Sequence, residues 1–168
     1  LKFLFLIPML IIAFMIDYKL QIIPNRLTLT IFETGLVFTF ATSLLNITGG
    51  IDLFMDSVLG MLAGAGIFLL ITLIGGAIAG KEAMGFGDVK LMGALGLFFG
   101  WVNIILISVM AFLFAAIVSI VILIARRKKL SEYIPFGPFI VVASIIPMYI
   151  NTPELILILL KIFSLGTY

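Results

Sequence analysis

Long apolar runs separated by short polar turns make up this chain. Hydrophobic stretches cover residues 1–16, 27–45, 53–79, 102–125 and 136–150, with a shorter one at 155–165. None alternates with period two, as the strands of a membrane barrel would. A helix crosses a hydrocarbon core about 30 Å thick with about 20 apolar residues, rising about 1.5 Å per residue. Residues 88–100 add a further candidate of 13 residues, about 20 Å of helix. It is short for a full crossing, and is expected to be half-buried with its N-terminal end below the membrane surface. The pattern predicts seven segments in an all-α, polytopic membrane protein of six to seven transmembrane helices.

Composition agrees. Of 168 residues, 64% are hydrophobic and 11% charged, and the mean hydropathy is +1.39. A soluble domain of this size needs far more polar surface. The positive residues then test the layout. Lys19 and Arg26 follow the first segment, Lys81 and Lys90 the third, and Arg126, Arg127, Lys128 and Lys129 the fifth. The intervening turns at 46–52, 100–101 and 151–154 contain no Lys or Arg. Positive charge stays on the cytoplasmic side, so the alternation predicts seven crossings and a cytoplasmic C-terminus. Lys2 is the exception. The net charge of +2 is read as topology anchoring in the lipid bilayer. Nucleic acid is not an expected partner, because no basic surface interleaved with aromatics is present.

Cysteine and histidine are both absent. That removes disulfides, zinc sites built on Cys or His, and Ser-His or Cys-His nucleophiles. Chemistry must run on carboxylates, lysines, hydroxyls or backbone, and no metal site is expected. Two aspartates stand out on the side carrying the positive charge. Asp17 ends the first segment and Asp88 opens the short one, so they meet if those two helices are neighbours. Pro24 stops a helix and biases Ile23 to extended backbone, which leaves Asn25 as the expected N-cap of the second span. Gly85 and Gly87 permit unusual backbone angles and close approach, and Asp88 is expected to cap the helix that follows. A helix C-terminus disfavours a carboxylate and an N-terminus favours it. On that ground Asp17 is expected to carry the shared proton and Asp88 the charge. Such a pair can hydrolyse a peptide: one carboxylate takes a proton from the attacking water while the other polarises the carbonyl.

Three blocks carry a resemblance: "IDYKLQIIPNRLTL", "GKEAMGFGDVKLMGALGLFFGW" and "IPFGPF". In this order, spanning residues 16–139, they closely resemble the type IV prepilin peptidases, membrane aspartic proteases with a Gly-x-Gly-Asp motif. The resemblance implies a bundle of the Gly-x-Gly-Asp protease kind with Asp17 and Asp88 as catalytic residues. It implies cleavage after a glycine of the basic leader of type IV prepilins or type II secretion pseudopilins, at the cytoplasmic face of the bacterial inner membrane. Supporting or substrate-binding roles fall to Gly85, Gly87, Glu82, Pro24, Asn25, Pro135, Gly137 and Pro138. The peptidase reaction needs no cofactor. Many bacterial members also N-methylate the new amino terminus with S-adenosylmethionine, through a further cytoplasmic domain that often holds four zinc-binding cysteines. Residues 1–168 contain no such domain and are expected to form a single membrane-embedded peptidase domain. S-adenosylmethionine is expected to matter only where that further domain is joined to it.

Several residues allow two readings. Glu82 orients the substrate or meets its basic leader, or it forms with Lys81 an interfacial pair worth about 1 kcal/mol or less. Lys90 is expected to project away from Asp88 on a helix. Glu33 lies inside the second span, where a charge calls for a partner or a cavity. "IPFGPF" either shapes a wall of the active site or starts a helix with an early proline. The glycine pairs 60/64, 76/80 and 96/100 are expected to serve close helix packing. The competing function from another class is a small proton- or cation-coupled transporter using the same two aspartates.

Overall fold

The computed structural model describes residues 2–46, 49–79, 84–125 and 134–163. Six helices follow one another: α1 (Lys2–Leu20), α2 (Asn25–Leu45), α3 (Gly50–Ala79), α4 (Phe86–Ile124), α5 (Gly137–Tyr149) and α6 (Thr152–Phe163). No strand occurs among the described residues. The first four helices are long and apolar enough to cross a membrane, and α5 is a shorter apolar helix. Large apolar side chains such as Leu4, Leu44, Ile78 and Ile124 face outward. With every helix satisfying its own backbone, this is the solution hydrocarbon demands. The protein is a multi-pass helical membrane bundle.

Six helices accommodate the seven expected segments because α4 is two limbs. Gly100 has φ 76° and ψ 175°, in the left-handed region that favours glycine. The chain reverses there. A Cβ on Gly64 of α3 would touch both Met92 O and Ile104 Cγ1, and in a straight helix those residues would lie about 18 Å apart. The groups freed by the break find partners on three other helices. Thr39 of α2 donates to Leu97 O at 3.3 Å, and Lys2 of α1 donates to Phe98 O at 2.5 Å. Trp101 N–H donates to Asp56 Oδ1 of α3 at 3.3 Å, an N-cap supplied from outside the helix. Lys2, the outlier in the charge pattern, is thus engaged at this break.

The first limb of α4 is the axis of the bundle. From Asp88 to Gly100 every residue except Lys90 is buried, as expected of a helix that is apolar all round. Glycines let α3 lie directly against it. A Cβ on Gly60 would strike Gly96 O and Gly100, and a Cβ on Gly96 would strike the Gly60 carbonyl and Met61 N. The 60/64 and 96/100 pairs are therefore packing glycines facing one another. In a bilayer, where apolar burial gives little advantage, such contact is a main source of helix association. Gly80, the second member of the 76/80 pair, lies outside the described residues.

Candidate active site

Asp17 completes the buried stripe of α1. Leu6, Leu10, Ala13 and Asp17 fall on one face by helical spacing, and all are buried. That face packs chiefly on α5, so the carboxylate arrives at the start of α5. There Gly137 N–H donates to Asp17 Oδ2 at 2.9 Å. Gly137 has to be glycine: an added Cβ would lie 2.6 Å from Asp17 Oδ2 and 3.0 Å from its Cγ. Phe136, just before it, is locked among Phe68, Phe112 and Phe139, with ring centroids 5.0–6.1 Å away. The aromatic cluster holds the end of α5 on which Asp17 rests.

Asp88 stands in the first turn of α4, with its N–H bonded to Gly85 O at 3.1 Å. It is 3% exposed, as is Asp17. Among the described residues, Asp88 Oδ1 is the one buried side-chain oxygen or nitrogen without a hydrogen-bond partner. Native interiors rarely leave such a group unpaired without a functional reason. Both aspartates border one cavity of about 920 Å³, roofed by the α1–α2 connector and the start of α4. Gln21 turns the chain out of α1 with φ 56°, in left-handed backbone that non-glycine residues enter at a cost of about 1–3 kcal/mol. The connector then passes so close to α4 that a Cβ on Gly87 would sit 3.0 Å from Ile23 Cβ.

A family model described as the type IV leader peptidase family matches residues 4–120 of this chain. The chain belongs to the type IV leader peptidase family. It is 33% identical over 128 residues to the prepilin leader peptidase/N-methyltransferase of Aeromonas hydrophila, covering 76% of this chain and 42% of that protein. The proteins of the same name from Pectobacterium carotovorum subsp. carotovorum and Escherichia coli K12 are 30% and 31% identical. Those matches cover 88% and 78% of this chain, and 50% and 55% of the relatives. The chain thus spans about half the length of the curated relatives it matches. No solved structure matches it at a significant level.

Within this leader peptidase fold the expected site residues divide. Asp17, Asp88, Gly85, Gly87, Pro24 and Asn25 all line the one cavity. Gly137 contributes through its bond to Asp17, Pro138 is buried behind it in the first turn of α5, and Pro135 precedes that helix. Glu82 and Lys81, like the 126–129 basic run, lie outside the described residues.

Several local expectations are corrected. Asp88 is three residues past the N-cap, which is Gly85, and Gly85 has the ordinary φ of −68°; Gly87 is explained by the close approach of Ile23. Asn25 is the first helical residue of α2, with Pro24 at the N-cap. Its side chain is used elsewhere, accepting a 2.8 Å hydrogen bond from Lys90 Nζ. Lys90 consequently borders the same cavity as Asp88, where its own helix alone had suggested that it turns away. Gln21 and Ile23, inside the first quoted block, line the cavity although the sequence assigned them no site role. The expected division of proton and charge took no account of Gly137 N–H, the backbone donor that the start of α5 brings to Asp17, or of the unpartnered Asp88 Oδ1. Glu33 is exposed on the outer face of α2.

Proposed function

We propose that this chain is the peptidase part of a prepilin-processing enzyme, with Asp17 and Asp88 as its catalytic pair. The observation that carries this reading is two buried carboxylates from α1 and α4 bordering one cavity, in a sequence without Cys or His. Asp17, held as the anion by Gly137 N–H, takes a proton from water as its oxygen attacks the peptide carbonyl carbon. Asp88, protonated, donates to the carbonyl oxygen, giving a neutral tetrahedral diol. Asp17 then returns its proton to the amide nitrogen while the C–N bond breaks, and Asp88 recovers a proton as the carboxylic acid product forms. No covalent intermediate is needed. The pair titrates as a unit.

The substrate we assign is a type IV prepilin or type II pseudopilin, cut after a glycine that ends its basic leader. The cytoplasmic face of a bacterial inner membrane is the proposed site, supported by the lysines and arginines that flank both aspartates. Gly85, Gly87, Pro24 and Asn25 form the cavity border, while Pro135, Gly137 and Pro138 support Asp17. Glu82 is kept as a substrate-orienting candidate from the resemblance alone. Methylation belongs to the named relatives; S-adenosylmethionine has no part in the steps above. The transporter reading draws no support from the family match.

The test uses purified protein and a prepilin in detergent, with leader loss followed on a gel. Wild type is expected to release the leader, and Asp17→Asn and Asp88→Asn are each expected to abolish release. Cleavage by both variants at the wild-type rate would refute the assignment.

A further inference from the structure

Next to the aspartate cavity lies a second concavity of about 510 Å³ between α2, α3 and α4. Leu29, Phe32, Met61, Leu62, Ala65 and Ala94 provide its wall. Leu29 and Leu62 are more than half exposed, so the groove opens sideways toward the hydrocarbon. Asn25 and Lys90 border both concavities, and their 2.8 Å hydrogen bond forms the sill between them. The chamber bordered by the two carboxylates and the apolar trough facing lipid therefore meet at one polar pair.

We propose that this groove seats the apolar helical segment of the substrate that follows the cleaved bond. The inference rests on the prepilin-processing reading above. A peptide whose scissile bond lies between Asp17 and Asp88 must continue on both sides. The groove adjoins that cavity at Asn25 and Lys90, and its lining is almost wholly apolar, as a segment lying in hydrocarbon requires. Gly93 lines it beside Ala65 and Ala94, small residues of the kind found where helices approach closely. The α2–α3–α4 face is then a specificity surface: it selects substrates with an apolar segment directly after the cut. A phospholipid acyl chain is the rival occupant, and the experiment separates the two.

A photo-crosslinking residue is placed at Leu29 or Leu62 in full-chain protein carrying Asp88→Asn, reconstituted in phospholipid vesicles with a purified prepilin. Control positions are Leu73 on α3 and Val37 on α2, both exposed and outside the groove. Adducts from Leu29 and Leu62 are expected on the prepilin, mapping by mass spectrometry to the apolar residues just after the glycine. Unlabelled prepilin in tenfold excess is expected to suppress them, and the control positions to stay near background. Adducts to phospholipid alone, or to the leader side, or equally from the controls, would overturn the proposal. Wild-type protein in the same vesicles is assayed in parallel for leader release. Release without groove adducts rejects the groove and leaves the peptidase reading intact; failure of release rejects that reading and the groove with it.

Discussion

Gly137→Ala offers the sharpest probe of how Asp17 is held. The new Cβ would lie 2.6 Å from Oδ2, 3.0 Å from Cγ and 3.2 Å from Cβ of Asp17. Ordinary contact is about 3.4 Å or more, so the carboxylate has to retreat by roughly 0.8 Å. Its 2.9 Å hydrogen bond from Gly137 N–H then stretches to where little of it survives. A hydrogen bond to a charged group contributes about 1.5–3 kcal/mol, and each 1.36 kcal/mol is a factor of ten in rate. The expected loss in kcat/KM for leader cleavage is therefore about 10- to 150-fold, measured on purified protein with a prepilin. Alanine is otherwise acceptable in a first helical turn, and the Phe68, Phe112 and Phe136 cluster is untouched. Thermal unfolding in detergent is accordingly expected to shift much less than activity. A variant that cuts at more than half the wild-type rate would show that the Gly137 contact does not organise the site.

Other expectations follow from the same packing. Gly96→Ala pushes a methyl into the Gly60 carbonyl and Met61 N, rigid backbone that cannot yield, and is expected to cost about 1–3 kcal/mol or more in stability. Gly66→Ala meets nothing within 4 Å and is expected to be neutral or slightly stabilising, which unfolding of the two variants side by side would reveal. Gln21→Gly fits the left-handed backbone at φ 56° and should fold normally, whereas β-branched Gln21→Val is expected to lose about 1–2 kcal/mol, read as a lower unfolding midpoint. Asp56→Ala removes the cap on Trp101 N–H and is expected to cost about 0.5–2 kcal/mol, with Asp56→Asn recovering most of it.

The crossings were legible because hydrocarbon forces continuous apolar runs, and even the short limb after Asp88 could be recognised by its length. Its reversal at Gly100 was marked in sequence only as a charge-free turn; the side chains that satisfy the break come from α1, α2 and α3. The aspartates were legible through their flanking motifs. Their setting was not, because the Gly137–Asp17 bond joins residues 120 apart and the Lys90–Asn25 bond residues 65 apart. Judged on α1 alone, Asp17 sits at an unfavourable helix C-terminus. The N-terminus of α5, brought beside it by the fold, supplies a donor that α1 alone could not show. Likewise Asn25 looked like a cap because Asn commonly is one; here Pro24 holds that position and the amide is free to meet Lys90.

The two carboxylates are held to act as one unit on one water, and a double-mutant cycle tests this most directly. Leader cleavage is measured as kcat/KM for wild type, Asp17→Asn, Asp88→Asn and the double variant in the same detergent. Each single change is expected to cost at least about 10³-fold, and the double variant little more than either single one, as for residues that work together. Substantial activity in either single variant, or losses that simply multiply in the double variant, would contradict a shared catalytic pair.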